Sequence, residues 1–124
     1  MNNLLILLYI SNATLLIIHE IDSAYWKEWE LFKLPGGITG FLLLHIPLVG
    51  FILYGTVCIA LNQSLGLYLS LALSGGGIFA FGIHNYFMSK GHRQFTTRTS
   101  KTLLAVLMVT SVAEGIVTVL VMIK

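Results

Sequence analysis

Charged residues are scarce in this chain of 124 residues: only 10% are Asp, Glu, Lys or Arg, whereas 56% are hydrophobic. The mean hydropathy is +0.88. A water-soluble domain carries about 25% charged residues, so the composition excludes that class and indicates a protein of the lipid bilayer. The formal net charge of +2 is too small, and too closely tied to the membrane, to predict a nucleic-acid partner.

Cysteine and proline are also rare. Cys58 is the only cysteine, which excludes an internal disulfide and any Cys-x-x-Cys metal motif. The only prolines are Pro35 and Pro47. Pro35 is followed by Gly36 and Gly37, and this combination predicts the end of a helix and a turn.

Long apolar stretches are what the sequence has in abundance. A hydrocarbon core about 30 Å thick requires roughly 20 helical residues. Four stretches meet this length: about 3–25, 38–62, 64–88 and 101–123. The first is expected to continue as an interfacial helix to residue 33. Backbone amides in lipid must be satisfied within the segment, so we predict an all-α polytopic membrane protein, a single domain over residues 1–124 folded as an antiparallel bundle of four transmembrane helices.

The basic residues are distributed unevenly between the two ends of the predicted bundle. Six of the seven lie in the connections after the first and third spans: Lys27, Lys33, Lys90, Arg93, Arg98 and Lys101. The positive-inside rule makes that end cytoplasmic. Both termini are therefore expected outside the cytoplasm.

Three histidines on three different spans are predicted at one level. At a rise of 1.5 Å per residue, His19, His45 and His84 lie about 7, 10 and 6 Å from the predicted inner edge. Glu20 and Asp22 border this layer. An imidazole in an apolar run needs a partner, so a shared site is a reasonable prediction.

A second polar layer is predicted near the middle of the bilayer. Glu114 lies about 18 Å from the inner edge, and Asn12 of the first span reaches nearly the same level. Ser111 shares the helical face of Glu114. A charged side chain at the bilayer centre costs at least about 2.5–3.5 kcal/mol, so Glu114 is a candidate functional residue.

Two chemistries fit these residues. His19, Asp22, His45 and His84 form a candidate ligand set for a divalent metal, zinc or iron, although the sequence contains no His-Glu-x-x-His motif. A small lipophilic molecule, such as a lipid or isoprenoid, is the predicted ligand.

The second chemistry is general acid–base catalysis on that molecule. The candidate catalytic residues are Glu114, His45 and His84. The candidate ligand-binding residues are Asn12, Glu20 and Ser111.

Two other function classes remain open. The same groups are suited to carrying protons in a small proton-coupled transporter, which would need a homodimer to enclose a pathway. Alternatively, the chain is a structural or assembly subunit that packs through its third span, where Gly75, Gly76 and Gly77 are adjacent.

The segments HEIDSAYWKEWELFKLPGG and GFLLLHIPLV, within residues 19–50, resemble a small bacterial four-helix membrane family known as a domain of unknown function. His19 to Ser23 more distantly resembles the integral-membrane family named for a His-x-x-Glu-Glu signature, with Asp22 and Ser23 at its last two positions. The first resemblance implies a four-helix fold in the bacterial inner membrane. Neither implies an activity.

Overall fold

The hydrophobic stretches fold into helices, as their length and apolar content dictate. The computed structural model describes residues 3–124. Within these residues, five helices follow in chain order: α1 (Asn3–Tyr25), α2 (Glu28–Leu31), α3 (Gly37–Ala60), α4 (Ser64–Ser89) and α5 (Arg98–Met122). The four long ones are long and apolar enough to cross a membrane. The predicted all-α four-helix bundle is confirmed, and the chain is a multi-pass membrane protein.

The first helix does not continue to residue 33, in contrast to the sequence prediction. Lys27 adopts a left-handed conformation with φ 52°, and its backbone N–H donates to the carbonyl of Ala24. A left-handed residue ends an α-helix and redirects the chain. The short α2 follows, and its Leu31 is buried. Hydrophobic burial of α2 against the bundle thus replaces the predicted interfacial extension.

The four long helices are packed unevenly. Helix α5 contacts α1 and α4, and α3 contacts α1 and α4, whereas α3 and α5 do not touch among the described residues. Small residues bring α4 and α5 together: a Cβ atom on Gly77 would lie 1.9 Å from Ser111 Oγ. Helix α5 therefore packs closely against both α1 and α4, and α3 is the more peripheral helix.

The connection between α4 and α5 folds one aromatic side chain inward. Phe95 has φ 63° and its side chain is almost completely buried. Thr97 then caps α5, because its Oγ1 accepts a hydrogen bond from the Ser100 N–H at 3.1 Å. Helix α5 consequently begins at Arg98, slightly before the predicted residue 101.

Candidate metal centre

Two separate polar clusters lie inside the bundle. The first, which we call the deep network, consists of buried side chains from α1, α4 and α5: Asn12, Ser70, Ser111, Glu114 and Thr118. Asn12 Nδ2 donates to Glu114 Oε2 at 2.5 Å, and Ser70 Oγ donates to Glu114 Oε1 at 2.6 Å. Both carboxyl oxygens therefore have a partner. Ser111 Oγ donates to Asn12 Oδ1 at 3.0 Å, which closes the network.

Counting protons indicates the charge state of this network. Thr118 Oγ1 donates to the Glu114 carbonyl at 2.8 Å and lies 2.8 Å from Ser70 Oγ. Together with the Ser70–Glu114 contact, three hydrogen bonds need three protons, whereas the two hydroxyls supply two. A proton on the Glu114 carboxyl would complete the set: the acid would then donate to Ser70 Oγ, and Ser70 to Thr118 Oγ1. A neutral acid also avoids the large cost of a buried charge.

The second cluster, which we call the histidine cluster, consists of His19 on α1, Glu28 on α2 and His84 on α4. Each residue offers one ligand atom, and these atoms lie within 4.8 Å of one another. His84 Nε2 is 3.2 Å from Glu28 Oε1, and the His19 and His84 rings are 4.9 Å apart between centroids. Side chains of three different helices thus converge on one point.

The histidine cluster, unlike the deep network, has polar atoms without partners. His19 and His84 are each 1% exposed, and their Nδ1 atoms have no hydrogen-bond partner among the described residues. A buried polar atom left unpaired costs about 1–3 kcal/mol. A bound ion or a polar ligand that pairs with these nitrogen atoms would remove this cost.

The surroundings of Glu28 favour the ionised form of its carboxyl group, and this form suits a metal ligand. Burial alone disfavours the charged carboxylate, but the hydrogen bond from His84 and the charges of His84 and His19 outweigh that effect. The pKa of the Glu28 carboxyl is therefore lowered from its ordinary value of 4.5. An ionised carboxylate is the form that coordinates a cation.

Aromatic rings surround the histidine cluster. The Phe95 ring lies 3.9 Å from the His84 ring and 5.5 Å from the His19 ring, between centroids. Phe32 approaches His84 from another side, at 6.1 Å. These rings fix the imidazole planes by packing, which holds the nitrogen atoms in a defined geometry.

His45 and Glu20 form a distinct pair on α3 and α1. His45 Nε2 is 2.5 Å from Glu20 Oε2, and His45 Nδ1 is 2.6 Å from the Phe41 carbonyl oxygen. A carbonyl oxygen only accepts, so the Nδ1 atom carries a proton. One further proton is then shared between Nε2 and the carboxyl, either as an ion pair or as a neutral acid and base.

The pair and the histidine cluster line the same cavity, between α1, α3 and α4. Its volume is about 310 Å³, and the five titratable side chains that line it are His19, Glu20, Glu28, His45 and His84. The other lining residues are apolar or glycine. A second, smaller space of about 130 Å³ shares Leu16, Leu48 and Gly76 with it. We refer to these two adjacent spaces together as the combined space: the first contains the titratable side chains, and the second is apolar except for Tyr9.

The structure brings some of the sequence-predicted site residues together and separates others. His19 and His84 meet, whereas His45 pairs with Glu20 across the cavity. Asp22 does not join the histidine cluster, and its Oδ2 is buried without a hydrogen-bond partner among the described residues.

The deep network holds the remaining predicted residues, Asn12, Ser111 and Glu114, and none of them lines the cavity.

Sequence reasoning missed Glu28 and Phe95. The sequence predicts Glu28 on a continuous interfacial helix, and only the turn at Lys27 brings it back over the bundle. Lysine carries no local signal for a left-handed conformation, so nothing in the sequence marks this position. Phe95 reaches the histidines through a connection whose path is likewise set by tertiary packing.

Comparison with known proteins gives a family but no activity. A family model described as a family of unknown function, DUF6713, matches residues 5–121. The chain belongs to this family. No curated protein and no solved structure matches the chain. The function of this DUF6713 member must therefore be argued from its own site.

Proposed function

We propose that this DUF6713 protein is a membrane-embedded metal protein that binds a small lipophilic molecule next to its metal. The ligands are one ring nitrogen each from His19 and His84 and a carboxylate oxygen from Glu28. The observation that supports this proposal is the convergence of these three ligand atoms within 4.8 Å at the wall of the largely apolar cavity.

The donor set suits zinc or non-haem iron. Two imidazoles and one carboxylate are ligands of catalytic zinc and of iron(II). A tetrahedral metal with bonds of about 2.1 Å holds its ligand atoms roughly 3.4 Å apart, so the three groups need to move together only slightly. Three protein ligands leave a coordination position open, as catalytic metals require.

The cavity adds acid–base groups to the metal. His45 Nε2 and Glu20 Oε2 are hydrogen-bonded, and both residues line the same cavity as the histidine cluster. A metal that polarises a bound molecule and a pair that exchanges protons with it form a reasonable catalytic unit. We therefore favour a metal-dependent membrane enzyme acting on a lipid or isoprenoid over a purely structural subunit.

The proton-coupled transporter has less support. That hypothesis relies on Glu114 as an intramembrane proton carrier, but both oxygens of its carboxyl are hydrogen-bonded. The residue is fully buried. We therefore assign Glu114 to helix packing rather than to catalysis or transport.

We further propose that the histidine cluster lies at the cytoplasmic side of the bacterial inner membrane. The basic residues of the connections lie at this end of the bundle, and basic connections are retained in the cytoplasm. Both termini are then outside the cytoplasm, and a homodimer is compatible with the lipid-facing helices.

Elemental analysis of protein purified in detergent without chelator tests this function. We expect about one zinc or iron per chain, lost in His19→Ala. The control is His92→Ala, because His92 is exposed and, within residues 3–124, its ring contacts the Phe87 ring and no other aromatic ring. Equal metal content in the two variants, or no metal in the wild type after loading, would overturn the metal site.

A further inference from the structure

The combined space between α1, α3 and α4 has a polarity gradient along the bundle. Its wide end contains the histidine cluster and the Glu20–His45 pair. Its narrow end is lined by apolar residues and by Tyr9, whose hydroxyl already donates to the Ile52 carbonyl at 2.8 Å. The narrow end therefore presents no unpaired polar side chain to a ligand among its described lining residues.

The length of the combined space can be estimated from the residues of α1 that line its two ends. Tyr9 and Glu20, both on α1, are separated by a rise of about 16 Å along the helix axis. A ligand that fills the space thus has an extended apolar tail, with its polar group at one end only.

We propose that the combined space binds a single-headed amphiphile whose head is an oxygen-bearing group, such as an alcohol, aldehyde or carboxylate. This inference rests on the proposed function, since the head oxygen takes the open position of the metal held by His19, Glu28 and His84. The Glu20–His45 pair hydrogen-bonds the same head from the facing wall. The apolar tail extends past Gly76 toward Tyr9.

The metal and the Glu20–His45 pair favour a ligand head that contains oxygen. Zinc and iron accept oxygen ligands readily, and the Glu20 carboxyl, whose Oε2 is bonded to His45, has a second oxygen that can accept a hydrogen bond from a hydroxyl head. A hydrocarbon without a head would place apolar atoms against the metal and the Glu20 carboxyl, which is less favourable there than an oxygen partner. A ligand with polar groups at both ends would place one of them at the apolar end.

The test uses protein in lipid nanodiscs, loaded with Co²⁺, and the probes decane, decanol and decanoate. We expect decanol or decanoate to change the visible spectrum of the bound cobalt and to bind at least about tenfold tighter than decane. In Glu20→Gln, which keeps the size of the side chain, the affinity for decanol falls about tenfold, whereas the cobalt affinity stays within about twofold.

A second variant tests the position of the tail. Ala72 lines the narrow end, so Ala72→Phe is expected to weaken decanoate binding about tenfold while leaving propionate binding unchanged. Ala105→Phe, at an exposed position on α5, is the matched control and should bind decanoate as the wild type does.

The two proposals fail in different ways. Absence of cobalt binding overturns the metal site of the proposed function. Cobalt binding with equal affinity for decane, decanol and decanoate overturns the assignment of the ligand head. Equal decanoate binding in Ala72→Phe and Ala105→Phe overturns the assignment of the tail.

Discussion

The deep network and the histidine cluster use similar residue types but differ in how completely their polar atoms are paired. In the deep network both oxygens of the Glu114 carboxyl are hydrogen-bonded to neighbouring side chains. In the histidine cluster the buried Nδ1 atoms of His19 and His84 have no partner among the described residues. The first lies among close-packed helices and the second at a cavity.

This difference separates packing from binding. A polar group that is fully hydrogen-bonded contributes to the specificity of helix association. A buried polar group that is left unpaired lowers the free energy of unfolding, and a ligand that hydrogen-bonds or coordinates this group offsets the loss. Substitutions in the histidine cluster should therefore lower metal affinity without lowering stability. Substitutions in the deep network should lower stability without changing metal affinity.

The largest expected effect is the loss of metal affinity caused by a substitution in the histidine cluster. Loss of an outer partner of a metal ligand already lowers metal affinity about 10–100-fold, so His19→Leu should lower it at least about 100-fold. The unfolding temperature of the metal-free variant should not fall, because an unpaired polar ring is replaced by an apolar side chain. Metal titration and thermal unfolding in detergent with chelator measure the two quantities. Retained metal affinity would contradict the assignment.

The next largest expected effect is the loss of stability caused by a substitution in the deep network. Asn12→Leu removes the donor to Glu114 Oε2 and the acceptor of the Ser111 hydroxyl. The free energy of unfolding should fall by about 2–4 kcal/mol, with metal affinity unchanged.

The control for this change is Asn85→Leu. Asn85 is exposed and donates to the Phe81 carbonyl of its own helix, so little stability should be lost. Denaturant titration in mixed micelles compares the two variants. If Asn12→Leu were as stable as Asn85→Leu, the deep network would have no role in packing.

Adjacent glycines on α4 allow a sharper comparison. A Cβ on Gly77 would lie 1.9 Å from Ser111 Oγ, whereas one on Gly76 would make an ordinary contact with Leu16 at 3.9 Å. Gly77→Ala should therefore destabilise the protein by about 1–2 kcal/mol. Gly76→Ala should be neutral or stabilising by up to about 1 kcal/mol. Thermal unfolding of both variants measures the difference, and the reverse order would contradict the close packing of α4 and α5.

The smallest effect is a pH dependence from Glu28. Its pKa is lowered in the folded protein, so its contribution is present above the ordinary carboxyl value of 4.5 and is lost as the pH falls through the lower folded value. Metal-free wild type should lose more stability than Glu28→Gln between about pH 6 and pH 3, by less than about 1 kcal/mol.

The matched control is Glu30→Gln, because Glu30 is exposed on the same short helix. Unfolding midpoints across the pH range give the comparison. Parallel curves for the wild type and Glu28→Gln would show that the Glu28–His84 contact does not stabilise the fold.

The sequence is sufficient to predict the helices because hydropathy and length determine membrane spans almost alone. It also places His19 near His84, and Asn12 near Glu114, because a constant helical rise converts residue number into depth. Both pairs are in contact in the structure.

The composition of the metal centre is less predictable. Depth does not specify which helices are neighbours, so the sequence groups His45 with His19 and His84 although it faces them from α3 and pairs with Glu20. Glu28 depends on the left-handed turn at Lys27, which is set by the burial of α2 and not by a local residue preference.

X-ray absorption at the zinc edge of zinc-loaded protein tests the metal assignment most directly. We expect a first shell of nitrogen and oxygen atoms at about 2.0–2.1 Å, with the multiple scattering of two imidazole rings, from His19 and His84. A zinc shell without imidazole scattering would contradict the assignment, because the metal would then be bound away from the histidine cluster.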